Sequence, residues 1–436
     1  MVSFRQARPR RIRLRRLAPW AFVCTLMSPP LLALPVDSTQ NFPPAERHYR
    51  NGLQHLQAGQ LDDAERQFNQ SLQTAPGMAS ATLGLAEVAA KRGDIQGAER
   101  LIREAVKAHP DHPHAQSSLG RLLFQKGDHA GAEKALLEAL RLAPSVAGNH
   151  IALGDLYMNG FRDANRAVKA YQDAVDKDPR HGGAHYALGV ALAEQGHSLP
   201  ARAALSEAHR LEPGMPLPLI ALARLLGAEG DHAAALQEAD RALALAPQFP
   251  PALMERGKQL ASLQRWDEAA QTFRACLTLD AKNADAAFLL GATLQSKGDL
   301  NGARQAYLQA IQHNPRLALA YNNLAWLSAE QRTDLDKAMS WASKAVELVP
   351  GEPAFRSTLG WVQRARGNLK EAAKTLQGAV DNPQASADTY YRLGIVRMEL
   401  GETALARSAL QRALELQPSF AGATDAYARL KTLSGS

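Results

Sequence analysis

The stretch Ala284–Leu317, ADAAFLLGATLQSKGDLNGARQAYLQAIQHNPRL, decides the fold, because most of the chain repeats it. Ala287, Leu290, Gly291 and Leu294 stand at i, i+3, i+4 and i+7, one face of a helix. Gly298 is expected to stop that helix in the left-handed region, and Asp299 to start the next. Ala303, Tyr307, Ala310 and Ile311 set an apolar stripe on a second helix, which Asn314-Pro315 ends. One hairpin cannot bury both of its stripes, so the unit needs neighbours.

The neighbours follow at intervals of 34 or 35 residues. The alanine at 303 recurs as Ala64, Ala98, Ala132, Ala167, Ala201, Ala235, Ala269, Ala338, Ala372 and Ala406. Seven residues on, every unit again carries a small residue, from Ser71 and Ala105 through Cys276 and Ala310 to Ala413. The first helix has its own small site: Gly52, Ala86, Gly120, Gly154, Gly189, Ala223, Gly257, Gly291, Ala325, Gly360 and Gly394. Small residues there let two helices approach closely while larger side chains fill the flanking grooves. Proline ends the units, with Pro383 one residue early and Ala281 in its place once.

This period, and the Gly–Ala–Ala–Pro spacing within it, resemble the tetratricopeptide repeat (TPR). The resemblance implies an all-α fold, a right-handed α-solenoid of eleven TPR helical hairpins with a C-terminal capping helix. The repeats are read as 45–78, 79–112, 113–146, 147–181, 182–215, 216–249, 250–283, 284–317, 318–352, 353–386 and 387–420, with 421–436 as capping helix and tail. Repeats four and nine carry one extra residue, expected in a surface turn between the two helices, near Gly160-Phe161 and Thr333-Asp334.

The net charge of +7 suggests a nucleic-acid binder until its location is noted. Arg5, Arg8, Arg10, Arg11, Arg13, Arg15 and Arg16 equal the whole excess, and no acid precedes Asp37. The rest of the chain is neutral, with no basic stripe for phosphates. The arginines and the apolar, proline-broken run Leu17–Leu34 read as a signal peptide over 1–34, followed by a linker over 35–44. Export to the periplasm or cell envelope is therefore expected; an uncleaved inner-membrane anchor is the alternative. Of the two cysteines, Cys24 lies in the leader and Cys276 takes a small packing position, so no disulfide is expected in the mature chain.

No phosphate loop, HExxH zinc pair or nucleophile elbow is present, and catalysis, a cofactor and a metal are not expected. The His109-Pro-Asp-His-Pro-His114 run has ligand-type residues, but Pro110 and Pro113 restrict convergence, and it reads as an inter-repeat turn.

What remains is surface. The TPR resemblance implies that positions 2, 5, 9, 12 and 13 of each repeat face a concave groove. Position 9 then runs Leu53, Glu87, Arg121, Asp155, Val190, Arg224, Lys258, Ala292, Trp326, Trp361 and Ile395. The early groove is mixed in charge and the late groove aromatic. Trp326, Trp361 and Tyr391, with Asn322, Asn323 and Arg392, are the candidate partner-binding residues, because buried aromatics are common anchors for a bound peptide.

The wording YNNLAWLSAE and STLGWVQRARGNLKEA, within 318–385, resembles secreted Gram-negative envelope TPR proteins of exopolysaccharide and PEP-CTERM sorting systems. That resemblance implies a non-catalytic protein–protein interaction scaffold serving exopolysaccharide export or protein sorting. The alternatives are a direct glycan-binding protein, or an adaptor subunit of a glycosyltransferase or peptidase system.

Overall fold

The structure is a computed structural model that describes residues 42–434. The leader expected over 1–34, Cys24 with it, and nearly all of the linker lie outside those residues. The described chain holds 23 α-helices and no strand, in two compact units. The N-terminal unit, ending at Glu229, contains α1 (Pro44–Gln57), α2 (Leu61–Thr74), α3 (Ala79–Lys91), α4 (Ile95–Ala108), α5 (Pro113–Gln125), α6 (His129–Leu142), α7 (Ala147–Asp155), α8 (Ala164–Lys177), α9 (Gly182–Glu194), α10 (Ser198–Leu211) and α11 (Leu217–Glu229). The C-terminal unit, from Gly230, contains α12 (His232–Leu245), α13 (Pro250–Ser262), α14 (Trp266–Leu279), α15 (Ala284–Lys297), α16 (Leu300–His313), α17 (Ala318–Gln331), α18 (Leu335–Leu348), α19 (Pro353–Ala365), α20 (Leu369–Val380), α21 (Ala387–Glu399), α22 (Thr403–Leu416) and α23 (Ala423–Ser434). Odd-numbered helices through α21 are first helices of their repeats, even-numbered ones are second helices, and α23 packs on α22 as the cap.

The turn inside each repeat is built on a left-handed residue, with a second one in repeat nine. Eight are glycines, Gly59, Gly93, Gly127, Gly196, Gly230, Gly298, Gly367 and Gly401, all at positive φ. Arg162, Gln264 and Arg332 hold the same conformation without glycine's freedom. An aspartate then caps many second helices: Asp299 Oδ1 accepts from Gly302 N–H at 2.9 Å, as Asp94, Asp128, Asp163 and Asp231 do in theirs. At the far end, Asn314 before Pro315 is extended, with φ −132°, yet still donates to the Ala310 carbonyl at 2.9 Å. Asp280 makes the same turn without a proline, and α20 is cut short where Pro383 comes early.

The small-residue sites are the core. Every alanine of the series Ala64 to Ala406 is at most 4% exposed, so each sits at a helix crossing. The first-helix glycines receive a large side chain from the second helix. A Cβ at Gly291 would lie 2.6 Å from Tyr307, at Gly257 2.6 Å from Phe273 and at Gly120 2.6 Å from Leu136. Two of the three first helices with alanine face a small residue, Ala223 with Ala239 and Ala325 with Ala342, whereas Ala86 packs in one cluster with the larger Ile102. First helices also touch the first helix of the next repeat, as α3 with α5 in one unit and α17 with α19 in the other.

Repeat four corrects an expectation. Its extra residue does not sit in a surface turn. It is absorbed into the first helix, whose last stretch, Leu156–Phe161, becomes a π-helical turn. Leu156 and Tyr157 are buried, so widening the helix by one residue keeps both on the apolar face and places Arg162 at the left-handed position. In repeat nine the extra residue does stay between the helices, where Arg332 and Asp334 are both left-handed. Among the described residues, no helix is long and apolar enough to cross a membrane.

Candidate protein-binding face

In the C-terminal unit, Trp326 on α17 and Trp361 on α19 occupy the same register of touching first helices, and both are half-buried. Trp326 packs on the cluster around Tyr307, Leu324 and Leu327. Trp361 packs beside Val362, and its indole N–H donates to Glu330 Oε1 at 2.8 Å. The Arg364 guanidinium lies 4.4 Å from the Trp361 ring centroid and that of Arg392 5.5 Å from it.

Arg392 is thereby brought to Trp361, but as a buried residue with partners of its own. It donates to Ser357 Oγ at 3.3 Å and pairs with Asp388 at 2.8 Å. Asn323 is likewise engaged inside the stack. Its amide donates to the Tyr307 hydroxyl at 3.0 Å, and that hydroxyl donates to Gln295 Oε1 at 2.8 Å. Asn322 extends the chain by donating to Asn323 Oδ1 at 3.2 Å, while its own Oδ1 is buried without a partner. Tyr391 is drawn away from the tryptophans toward the cap. Its hydroxyl donates to Asp425 at 2.7 Å and its ring meets Phe420 edge-on at 5.4 Å. Burial and the Asp425 carboxylate push its phenol up to about 12.

Glu330 and Gln295 were not singled out from the sequence. Both fall at positions that the TPR resemblance places on the groove, and that register was the signal available for them.

The N-terminal unit carries a different face. Glu87, Arg121, Asp155 and Arg224 come from α3, α5, α7 and α11 at one register. Arg121 donates to the Gly148 carbonyl at 3.1 Å. Burial pulls its guanidinium pKa down, opposed by Asp155 and Glu87. Asp155 accepts from the buried Tyr171 hydroxyl at 2.7 Å. Burial raises the Asp155 carboxyl to about 6, in spite of Tyr171 and Arg121, which both favour its ionised form. Burial raises Glu87 too, against Lys91 and Arg121.

The histidine run serves its turn. His109 Nε2 meets the Gly77 carbonyl at 2.5 Å, His112 Nδ1 accepts from Ala115 N–H at 3.3 Å as the cap of α5, and His114 is exposed. Among the described residues, no group of three or more His, Cys, Asp or Glu is gathered where it could hold a metal. Cys276 is fully buried, and burial pushes its thiol up to about 11, away from the reactive thiolate.

Family models described as tetratricopeptide repeat match residues 55–122, 113–146, 152–216, 220–286, 288–353 and 357–424. Two curated relatives match part of the chain. One is the human protein O-mannosyl-transferase TMTC1, 30% identical over 179 residues, covering 40% of this chain and 20% of that protein. The other is the Drosophila melanogaster BBSome complex member BBS4 homolog, 25% identical over 205 residues, covering 47% of this chain and 42% of that protein. The chain thus spans less than half the length of either. Among solved structures, the APC/C hetero-tetramer Cut9–Hcn1 aligns over 90% of this chain and 96% of its own, at 13% identity and a TM-score of 0.49. The repeat-family matches cover well over half of the residues, so the chain belongs to the tetratricopeptide-repeat family, whose fold is generally a non-catalytic scaffold for protein partners.

Proposed function

We propose that this chain is a non-catalytic scaffold of the bacterial cell envelope that holds a protein or peptide partner against the first helices of repeats nine and ten. The observation that carries the reading is the pair Trp326 and Trp361, half-buried at one register on adjacent first helices. Large rings held at fixed separation on rigid elements make good anchors, because little conformational freedom is left to lose on binding. Asn322, Asn323 and Arg392 support the pair from within the stack, whereas Tyr391 is committed to the cap through Asp425. Export rests on the arginine-rich leader and its apolar run, and a role in exopolysaccharide export or protein sorting on the wording of residues 318–385.

The test is Trp326→Ala combined with Trp361→Ala, compared with the unchanged chain for partner capture from envelope extract. Loss of a captured partner with the helical circular-dichroism signal retained supports the reading. Capture that survives both substitutions places the partner elsewhere. Fractionation with N-terminal sequencing tests export, and a full-length chain recovered from the cytoplasm contradicts it.

A further inference from the structure

Trp341 breaks the pattern of the second helices. Its position is filled in the other repeats mainly by small residues such as Ala135, Ala306, Thr375 and Ala409. The next residue, Ala342, stands where other repeats place Phe68, Phe273 or Tyr307. Part of the Trp341 ring makes up that missing bulk, packing on the clusters around Tyr307 and Ala342. The rest of it does not. It forms a wall of an open cleft of about 510 Å³, with Ile311 of α16, Tyr321 of α17, and Ser340 and Ser343 of α18. That volume lies within the roughly 300–1,000 Å³ of small-molecule sites. Neither Trp326 nor Trp361 lines it.

The chemistry of the lining is specific. Trp341 and Tyr321 are half-buried and offer ring surface. Among the described residues, the Trp341 indole N–H, the Tyr321 hydroxyl and the hydroxyls of Ser340 and Ser343 have no hydrogen-bond partner in the protein. In the same unit Tyr307, Tyr390 and Tyr391 all donate to one. The two charges at the rim, Lys344 and Glu347, pair with each other at 2.6 Å, so the cleft is neutral. The pair therefore adds no net charge that would select an acidic or a basic ligand. A ligand that offers apolar ring faces for stacking and hydroxyls for four uncommitted hydrogen-bonding groups gains from every wall. The cleft is also confined to one repeat boundary, which suits a compact ring better than an extended peptide running over several repeats.

We propose that the cleft between α16 and α18 binds an uncharged saccharide, one ring stacked on Trp341 and Tyr321 and its hydroxyls bonded to Ser340, Ser343 and the indole N–H. The cleft is distinct from the partner face, since neither Trp326 nor Trp361 lines it, although Trp341 shares its supporting core with both.

The experiment is titration calorimetry of the full chain with cellotetraose, maltotetraose and chitotetraose, and with a proline hexapeptide as the competing ligand class. At least one saccharide is expected to bind saturably. Trp341→Ala should weaken that binding about tenfold, and the double change Ser340→Ala, Ser343→Ala about threefold, from the loss of stacking and of hydrogen bonds. Leu405→Ala, at an exposed position of α22 that lines neither site, should leave it unchanged. If Trp341→Ala unfolds the repeat, the two exposed serines and Tyr321→Phe carry the test. No saturable binding by any of the three saccharides overturns the proposal. So does binding indifferent to the cleft substitutions, or binding of the peptide in place of the sugars.

Discussion

Single residues set the spacing of the whole stack. Gly291 is glycine because the Tyr307 ring leaves no room for a Cβ, which would lie 2.6 Å from it. Gly291→Ala is therefore expected to cost about 1–3 kcal/mol by overpacking, seen as a lower urea midpoint; an unchanged midpoint would contradict the assigned pairing. Gln264 is the reverse case. It is exposed and left-handed, with φ 61°, where eight other repeats use glycine. Gln264→Gly should raise stability by about 0.5–1 kcal/mol, the left-handed penalty less the added entropy of the unfolded glycine.

Asp155 gives a residue-scale pH dependence. Its carboxyl is raised from 3.8 to about 6 in the fold, so the folded state binds the proton more tightly than the unfolded one. Its stabilising contribution is then complete below about pH 4, and is lost as pH rises through about 6. Asp155→Asn keeps an acceptor for Tyr171 and should remove that slope between pH 4 and 6. A variant whose stability follows the parent's pH curve across that window would show that Asp155 is not its source.

At the scale of elements, the π-helical turn of repeat four is a packed piece of helix and behaves as one. Leu156 within it is fully buried. Leu156→Ala should cost about 2–5 kcal/mol, as for any leucine of a core, whereas a residue in a surface turn would be nearly neutral. The hairpins and their small-residue crossings were legible in the sequence because close packing leaves only Gly, Ala, Ser or Cys at those spots, and the period repeats the constraint eleven times. The π turn was not legible. One added residue fits a longer loop or a wider helix equally well on paper, and the burial of Leu156 and Tyr157 decides between them. The aromatic register of Trp326 and Trp361 was readable in the same way as the crossings. The commitments of Asn323 to Tyr307 and of Tyr391 to Asp425 were not, since a helical position fixes a face but not the side chain that meets it.

Across the molecule, a stack of repeats answers a local injury locally, because each repeat is stabilised chiefly by its neighbours. Ala303 is fully buried on α16. Ala303→Phe should destabilise by about 1–3 kcal/mol and strip hydrogen-exchange protection from α15 to α18, leaving α1 to α8 protected as before. Uniform loss of protection over the whole chain would mean that it unfolds as a single cooperative body. The central claim is that partners are held by the first helices at Trp326 and Trp361. The most direct measurement places a photo-crosslinking phenylalanine at 326 and at 361, with controls at the exposed second-helix positions Leu279 and Leu416. A discrete adduct from 326 and 361, absent from both controls, is the result this account predicts. Adducts from the control positions alone would contradict it.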